Sequence, residues 1–324
     1  MYDDPHQTPF TDLAGCRLPL QLAPMPGPTS PELALAVAEA GAHVSYPCVA
    51  MPAPATARVL ERLTSRMEGV SANFIVAMLD LESLDAALGC VSMVDFHAGE
   101  PTADLVERAH AAGCRVGWQV GSLKSARAAQ EAGCDLLIAQ GHEAGGRSAG
   151  TTALLPLLAE LQGEIEIPTL AAGGIASAAS VRAALAAGAD GVRVGTRFIA
   201  SFESGAHRAW VDALLAARGE DAVVTELFSK GVPVIPHRVL RSSIAAAEAY
   251  RDGVVGEMEL GGVVRQIERF ESFPPNASFH GEVEAMPFYA GQGTGAIHEV
   301  LPAAQIVAEL ASGITNPTPT AGRR

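Results

Sequence analysis

Apolar and polar positions follow a repeating block along most of the chain. A stretch with helical spacing of its apolar residues ends in glycine, and a short, near-continuous apolar run of strand length begins at once. The junction reads "EAGAHVSY" at Gly41, "MEGVSANFIVA" at Gly69, "ALGCVSMV" at Gly89, "AAGCRVGWQV" at Gly113 and "EAGCDLLIA" at Gly133. It recurs as "LQGEIEIPTLAA" at Gly163 and "AAGADGVRV" at Gly188. Glycine suits the left-handed residue that commonly follows the last turn of a helix. Successive junctions lie 28, 20, 24, 20, 30 and 25 residues apart, room for one strand and one helix each.

Seven junctions feed seven strands, and "RLPLQLAPM" (residues 17–25) supplies an earlier one. Eight similar strand–helix units predict an α/β fold of the closed (β/α)8 TIM barrel type rather than an open doubly wound sheet. The continuous apolar runs fit strands covered on both faces. After the eighth strand the rhythm stops. Residues 197–285 are richer in charge and are expected to form a mostly helical insertion between that strand and the last helix. "EVLPAAQIVAELASG" (299–313) resumes an amphipathic helix able to close the ring. The barrel is thus expected over 1–196 and 286–313, with 314–324 as a frayed tail by composition.

Composition narrows the partners. Hydrophobic residues make up 48% and charged residues 18% of the 324, so a sizeable core is expected. A net charge of −14 without a basic run argues against nucleic acid and against an anionic membrane surface. No run of about 18 apolar residues is present, so no bilayer span is expected. The start "MYDDPHQTPF" lacks the basic segment of a secretory signal. Five cysteines (Cys16, Cys48, Cys90, Cys114 and Cys134) form no CxxC pair and read as buried free thiols. A soluble, cytoplasmic chain is expected, with homo-oligomerisation left open.

Active sites of such barrels lie where the strands end. The strand ends here are "APMPGPTS", "SANFIVA", "VDFHAGEP", "VGWQVGS", the loop "AQGHEAGGRSAGTT", "AAGGIAS" and "VRVGTRF". The last two bring Gly173, Gly174, Gly195 and Thr196 to the seventh and eighth strands, where bare backbone amides commonly hold a phosphate. That phosphate belongs either to a substrate or to a cofactor such as FMN. The only lysines are Lys124 and Lys230, neither at a strand end, and Asp95 and Glu143 are the only nearby carboxylates. Lysine or paired-carboxylate chemistry is therefore weakly supported. An apolar strand end bearing Met25, with Asn73 and Gln119 nearby, better suits the edge of a flat ring.

The segments "APMPG", "SANF", "VDFHAGEP", "AQGHEAGG", "AAGGIA", "GADGVRVGTRF" and "AGQGTGAIHE" resemble, in this order, the FMN-dependent nitronate monooxygenases (2-nitropropane dioxygenase-like) and the related FMN-dependent enoyl-ACP reductases of the second type. The resemblance spans residues 23–299. It implies Met25 near a flavin ring, Asn73 and Gln119 at its polar edge, and Gly173, Gly174, Gly195 and Thr196 around its phosphate. It also implies Gln292 near the cofactor. The family's loop resembles "EAGGH", with the histidine acting on the substrate; this chain reads "EAGGRSAG", and Arg147 stands in that place.

An arginine stays charged at any accessible pH, so it cannot serve as an ordinary base, but it grips an anion with two parallel bonds. His142 on the same loop and His97 at the end of the fourth strand are the candidates for moving a proton. The reading is an FMN-dependent oxidoreductase acting on a small anionic carbon acid or nitronate, with O2 or another acceptor. Alternatives are an enoyl or acyl reductase using NAD(P)H, and a non-redox barrel that binds phosphate or flavin without catalysis. The segment "FSKGVPVIPHRVLR" offers Lys230, His237 and Arg238 to the pocket, although surface placement is expected of each.

Overall fold

The computed structural model describes residue 4 and residues 6–314. Six strands come first: β1 (Leu20–Leu22), β2 (His43–Pro47), β3 (Val70–Ile75), β4 (Met93–His97), β5 (Arg115–Val120) and β6 (Leu136–Gln140). A two-residue strand, β7 (Gly146–Arg147), stands apart from the barrel, and β8 (Thr169–Ala172) and β9 (Gly191–Val194) complete the ring. The order β1-β2-β3-β4-β5-β6-β8-β9 closes through parallel pairing of β9 with β1. The predicted eight-stranded barrel is therefore present.

The helices are α1 (Pro9–Ala14), α2 (Pro31–Glu39), α3 (Ala53–Thr64), α4 (Leu81–Leu88), α5 (Ala103–Ala111) and α6 (Leu123–Glu131). They continue with α7 (Leu154–Leu161), α8 (Ala178–Ala186), α9 (Thr196–Ile199), α10 (Arg208–Ala216), α11 (Arg241–Ala249) and α12 (Ala303–Ala311). Local chemistry sets their starts. Ser122 and Ser177 each form a capping box with the serine three residues on, satisfying amides that a helix leaves unpaired. Six of the seven junction glycines take a positive φ as expected; Gly89 ends α4 at φ −75 and is the exception.

Two-residue periodicity lies hidden inside the apolar runs. Val94, Phe96, Val116 and Trp118 pack outward in the layer between strands and helices. Their neighbours Asp95 and Gln119 turn inward, as do Ser71 and Asn73 of β3, so the barrel is lined in part by polar groups. Below them Phe10 of α1 packs on Met93, Leu136, Ile138 and Leu170 and plugs the opposite end.

The insertion departs from the expectation. It carries two nine-residue helices, α10 and α11, but also five strands: β10 (Ala222–Thr225), β11 (His237–Leu240), β12 (Val254–Leu260), β13 (Val263–Glu268) and β14 (His280–Gly281). It is mixed rather than mostly helical. Its sequence signal is diluted because these strands are short or solvent-facing, β13 being almost wholly exposed. The insertion buries a second apolar cluster shared with the segment that follows it, where the rings of Trp210 and Phe288 stack 6.2 Å apart. The tail expected at 314–324 lies outside the described residues except for Ile314, which is buried. All five cysteines are free, and Cys48, Cys114 and Cys134 are buried. No helix among the described residues is long and apolar enough to cross a membrane.

Candidate active site

A cavity of about 190 Å³ opens where the barrel strands end. Met25 after β1, Asn73 on β3, His97 on β4, Gln119 on β5 and Gln140 on β6 all line it. Gly173 and Gly174 after β8 and Gly195 and Thr196 after β9 line it from the other side, and Arg147 joins them. Nine of the eleven residues singled out from sequence therefore meet at one place. Two do not: neither His142 nor Gln292 lines the cavity. Gln292 is exposed, and only its glycine neighbours Gly291 and Gly293 reach inward.

Beneath the cavity a buried polar network crosses the barrel. Ser45, Ser71 and Asn73 donate to the Asp95 carboxylate at 2.7, 2.9 and 2.7 Å. Arg193 of β9 donates to Gln21 at 2.6 Å and to Gln119 at 3.3 Å, and its Nη2 stands 3.0 Å from Asp95. Burial pushes the Asp95 carboxyl up, but Arg193 and the three donors outweigh it and hold it below the usual carboxylate range. Gly117 leaves room for this carboxylate, since a Cβ there would stand 3.1 Å from Asp95 Cβ. Arg193 also lines the cavity, and sequence reasoning missed it. The signal was present, an arginine inside the apolar run "GVRVG".

His97 lies against this network, its Nδ1 3.5 Å from Asn73 Nδ2. Burial holds it down at about 4; Asp95 opposes this, while Arg193 and Arg147 add to it. The imidazole is therefore neutral at physiological pH.

The Arg147 loop is tied down on every side. Gln140 donates to the Arg147 carbonyl at 3.0 Å and accepts from the Ala149 amide at 2.6 Å. The Glu143 carboxylate accepts from the Leu154 amide at 2.9 and 3.1 Å, at the start of α7. β7 pairs antiparallel with β11 of the insertion, Arg147 opposite His237 and Gly146 opposite Arg238. Arg238 is 4% exposed and His237 1%, against the surface placement expected of them. Arg238 donates to the His142 carbonyl at 2.8 Å and to the Ala222 carbonyl at 2.6 Å. Lys230 does sit at the surface, paired with Glu268.

Arg147 itself faces the cavity with little to hold. Its Nη2 has only the Met78 sulfur at 3.9 Å, and its buried Nη1 has no hydrogen-bond partner. Among the described residues no carboxylate forms an ion pair with it. A cation so placed costs free energy until an anion reaches it.

The profile of the nitronate monooxygenase family matches residues 48–313. The chain belongs to the nitronate monooxygenase family. Over 96% of its length it is 29% identical to the nitronate monooxygenase of Paraburkholderia phytofirmans, covering 96% of that protein. A probable nitronate monooxygenase of Staphylococcus aureus is 34% identical over 41% of this chain and 40% of its own.

Among solved structures, FabK from Thermotoga maritima is 27% identical with a TM-score of 0.78, over 95% of this chain and 96% of that one. The nitroalkane oxidase of Streptomyces ansochromogenes is 27% identical with a TM-score of 0.74, over 94% of this chain and 99% of that one. This nitronate monooxygenase family member is therefore an oxidoreductase, of the flavin-dependent class that its motifs resemble. Among its described residues no group of three or more His, Cys, Asp or Glu is arranged to hold a metal ion.

Proposed function

We propose that the chain is an FMN-dependent oxidoreductase whose substrate is a small organic anion of the nitronate or carbon-acid class, held by Arg147. The carrying observation is the cavity-facing guanidinium that lacks a counter-ion.

The residues fit FMN. Gly173 and Gly174 have φ of +109 and +69, so their backbone is shaped for a tight turn that leaves no side chain in the way. At Gly195 a Cβ would stand 3.3 Å from the Met25 sulfur, so glycine keeps that wall open. These positions with Thr196 would hold the phosphate. The amides of Asn73 and Gln119 and the Nη2 of Arg193, which makes no hydrogen bond, offer polar groups to the ring edge, and Met25 an apolar wall. Bound there, FMN supplies the capacity to take up the electron pair of the substrate.

The chain's own residues do the rest. The fork of Arg147 fixes the anion, while Met78, Ile75 and Phe273 keep water from it. His97 is the cavity histidine that takes the proton. Its basicity is depressed partly by Arg147, so an anion on Arg147 offsets one of the charges acting on it. His142 is a weaker candidate because its ring does not line the cavity.

A second reading has the same cavity reducing an acyl substrate with electrons from NAD(P)H. It is supported by the sequence resemblance to the enoyl reductases and by the likeness to FabK.

The test is a visible absorption spectrum of the purified protein with its released chromophore identified, followed by O2 uptake with alkyl nitronates. A flavin spectrum, release of FMN and nitronate turnover lost in Arg147→Ala are expected. NAD(P)H consumption without nitronate turnover would favour the second reading. A protein that stays colourless after incubation with FMN would sink both.

A further inference from the structure

Among the described residues, several buried polar atoms at or beside the cavity make no hydrogen bond, and two of them are complementary. One is Arg147 Nη1, a donor; the other is His237 Nε2. His237 Nδ1 lies 2.9 Å from the Ile235 carbonyl, which can only accept, so the ring proton sits on Nδ1 and Nε2 is a bare acceptor. The two residues are direct register partners across the antiparallel β7–β11 pair. Side chains so paired project from the same face of the ribbon within reach of one another. Leaving a donor and an acceptor buried and unmade is costly, and one water or a small side-chain rotation would satisfy both.

We propose that His237 is the positioning residue of the anion site. Its neutral imidazole accepts one N–H of Arg147, directly or through one water, and so fixes the guanidinium plane that the anion meets. Among the described residues nothing else performs this task, because the Met78 sulfur at 3.9 Å is a weak acceptor. The remaining N–H groups of the fork stay free for the anion. This inference rests on the anion-binding reading of Arg147 and adds the residue that aims it.

The surroundings of His237 keep it in the accepting form. Its ring lies between Phe228 and Tyr289, with centroids 6.1 and 5.7 Å away, and Tyr289 is itself a wall of the cavity. The Tyr289 hydroxyl is committed to the Ser272 carbonyl at 2.8 Å and does not compete for Nε2. The charged groups acting on the ring are Arg147 from β7 and Glu226 from the segment after β10. Burial chiefly, and Arg147 in the same direction, disfavour the imidazolium; the Ile235 carbonyl and Glu226 oppose them. Protonation would turn Nε2 into a donor and set a second cation opposite Arg147. Anion affinity should therefore fall as pH drops through the titration of His237. Protonation of His97 would act the other way, adding positive charge to the cavity, so a fall identifies His237.

The experiment is calorimetric titration of the FMN-loaded protein with nitrate, a planar anion that does not itself titrate, between pH 7.5 and 5. Wild type should bind nitrate and weaken, by up to about tenfold, as falling pH protonates His237. His237→Phe, which has no acceptor, should bind about tenfold more weakly at pH 7.5 and show a flat pH profile. His237→Gln, whose amide oxygen accepts, should recover most of the affinity and stay flat. Wild-type affinity and pH profile in His237→Phe, with binding lost in Arg147→Gln, would overturn the proposal and leave the anion site standing. If the phenylalanine variant does not fold, the glutamine variant decides: a flat profile supports the role, and a wild-type fall overturns it. Wild type that binds no nitrate, or Arg147→Gln that binds it as wild type does, would end the anion reading and this inference with it.

Discussion

Arg193 Nη2 stands 3.0 Å from Asp95 Oδ1 inside the barrel, with the two side chains 2% and 0% exposed. The approach is close enough for an ion pair yet off-line for a hydrogen bond, since that Nη2 has no hydrogen-bond partner. The carboxylate is instead served by Ser45, Ser71 and Asn73. Such a pair is weak evidence for net stability, but removing one member strands the other charge. Asp95→Ala and Arg193→Met should each lose about 3–5 kcal/mol in urea unfolding. The double variant should lose less than the sum of the two.

Stability should also fall on mild acidification. His43 is buried and His97 half-buried against the cavity, and both are held down at about 4, in each case chiefly by desolvation, whereas an unfolded chain titrates its histidines near 6.5. Between these limits the unfolded state binds more protons, so stability is fully present above about pH 6.5 and is lost as pH falls toward 4. Each histidine contributes a slope of at most about 1.4 kcal/mol per pH unit in that window. Urea unfolding of His43→Gln at a series of pH values should show a shallower decline than wild type. An unchanged decline would remove His43 from this account.

If the cavity holds FMN as proposed, Gly195→Val should weaken FMN binding while leaving the barrel folded. Gly195 has an ordinary negative φ of −115, so valine brings little backbone strain, but its Cβ meets Met25 and Ala23 at 3.3 Å. The expected result is at least about tenfold weaker FMN binding with a melting temperature close to wild type. Fluorescence titration with FMN gives the first quantity and circular dichroism the second.

Gln140→Ala should loosen the Arg147 loop without touching its charge. Two hydrogen bonds to the loop backbone disappear, one of them the 2.6 Å bond from the Ala149 amide. Local opening should become easier by about 1–3 kcal/mol, read as faster hydrogen exchange at Ala149. Apparent KM for the anionic substrate should rise more than kcat falls, because the loss is in aiming Arg147 rather than in chemistry.

The barrel was legible because its glycine-punctuated blocks repeat at one-strand, one-helix spacing, and nothing about them depends on distant residues. The strand-end positions Asn73, Gln119, Gly173 and Gly195 followed from the barrel alone, because topology brings every strand end to one mouth. Arg193 did not, since its guanidinium is acceptable only beside Asp95, a residue 98 positions earlier in the chain that β4 places across the barrel. His237 and Arg238 were misjudged for a similar reason. Their burial depends on pairing with β7, whose two residues are too few to show a strand period. His142 looked equivalent to Arg147 along the loop, yet the turn that sends Arg147 into the cavity gives the His142 carbonyl to Arg238 instead.

Because β7 belongs to the same sheet as β10 and β11, the part of the chain that differs most from a plain barrel is tied to the cavity through Arg147. Grafting the insertion of another relative onto this barrel would have to keep the register at 146–147 and 237–238. A slip of one residue would turn Arg147 to the opposite face of the ribbon and take its guanidinium out of the cavity. Repositioning Arg147 in the cavity therefore calls for paired changes on β7 and β11 rather than wholesale exchange of the segment between them.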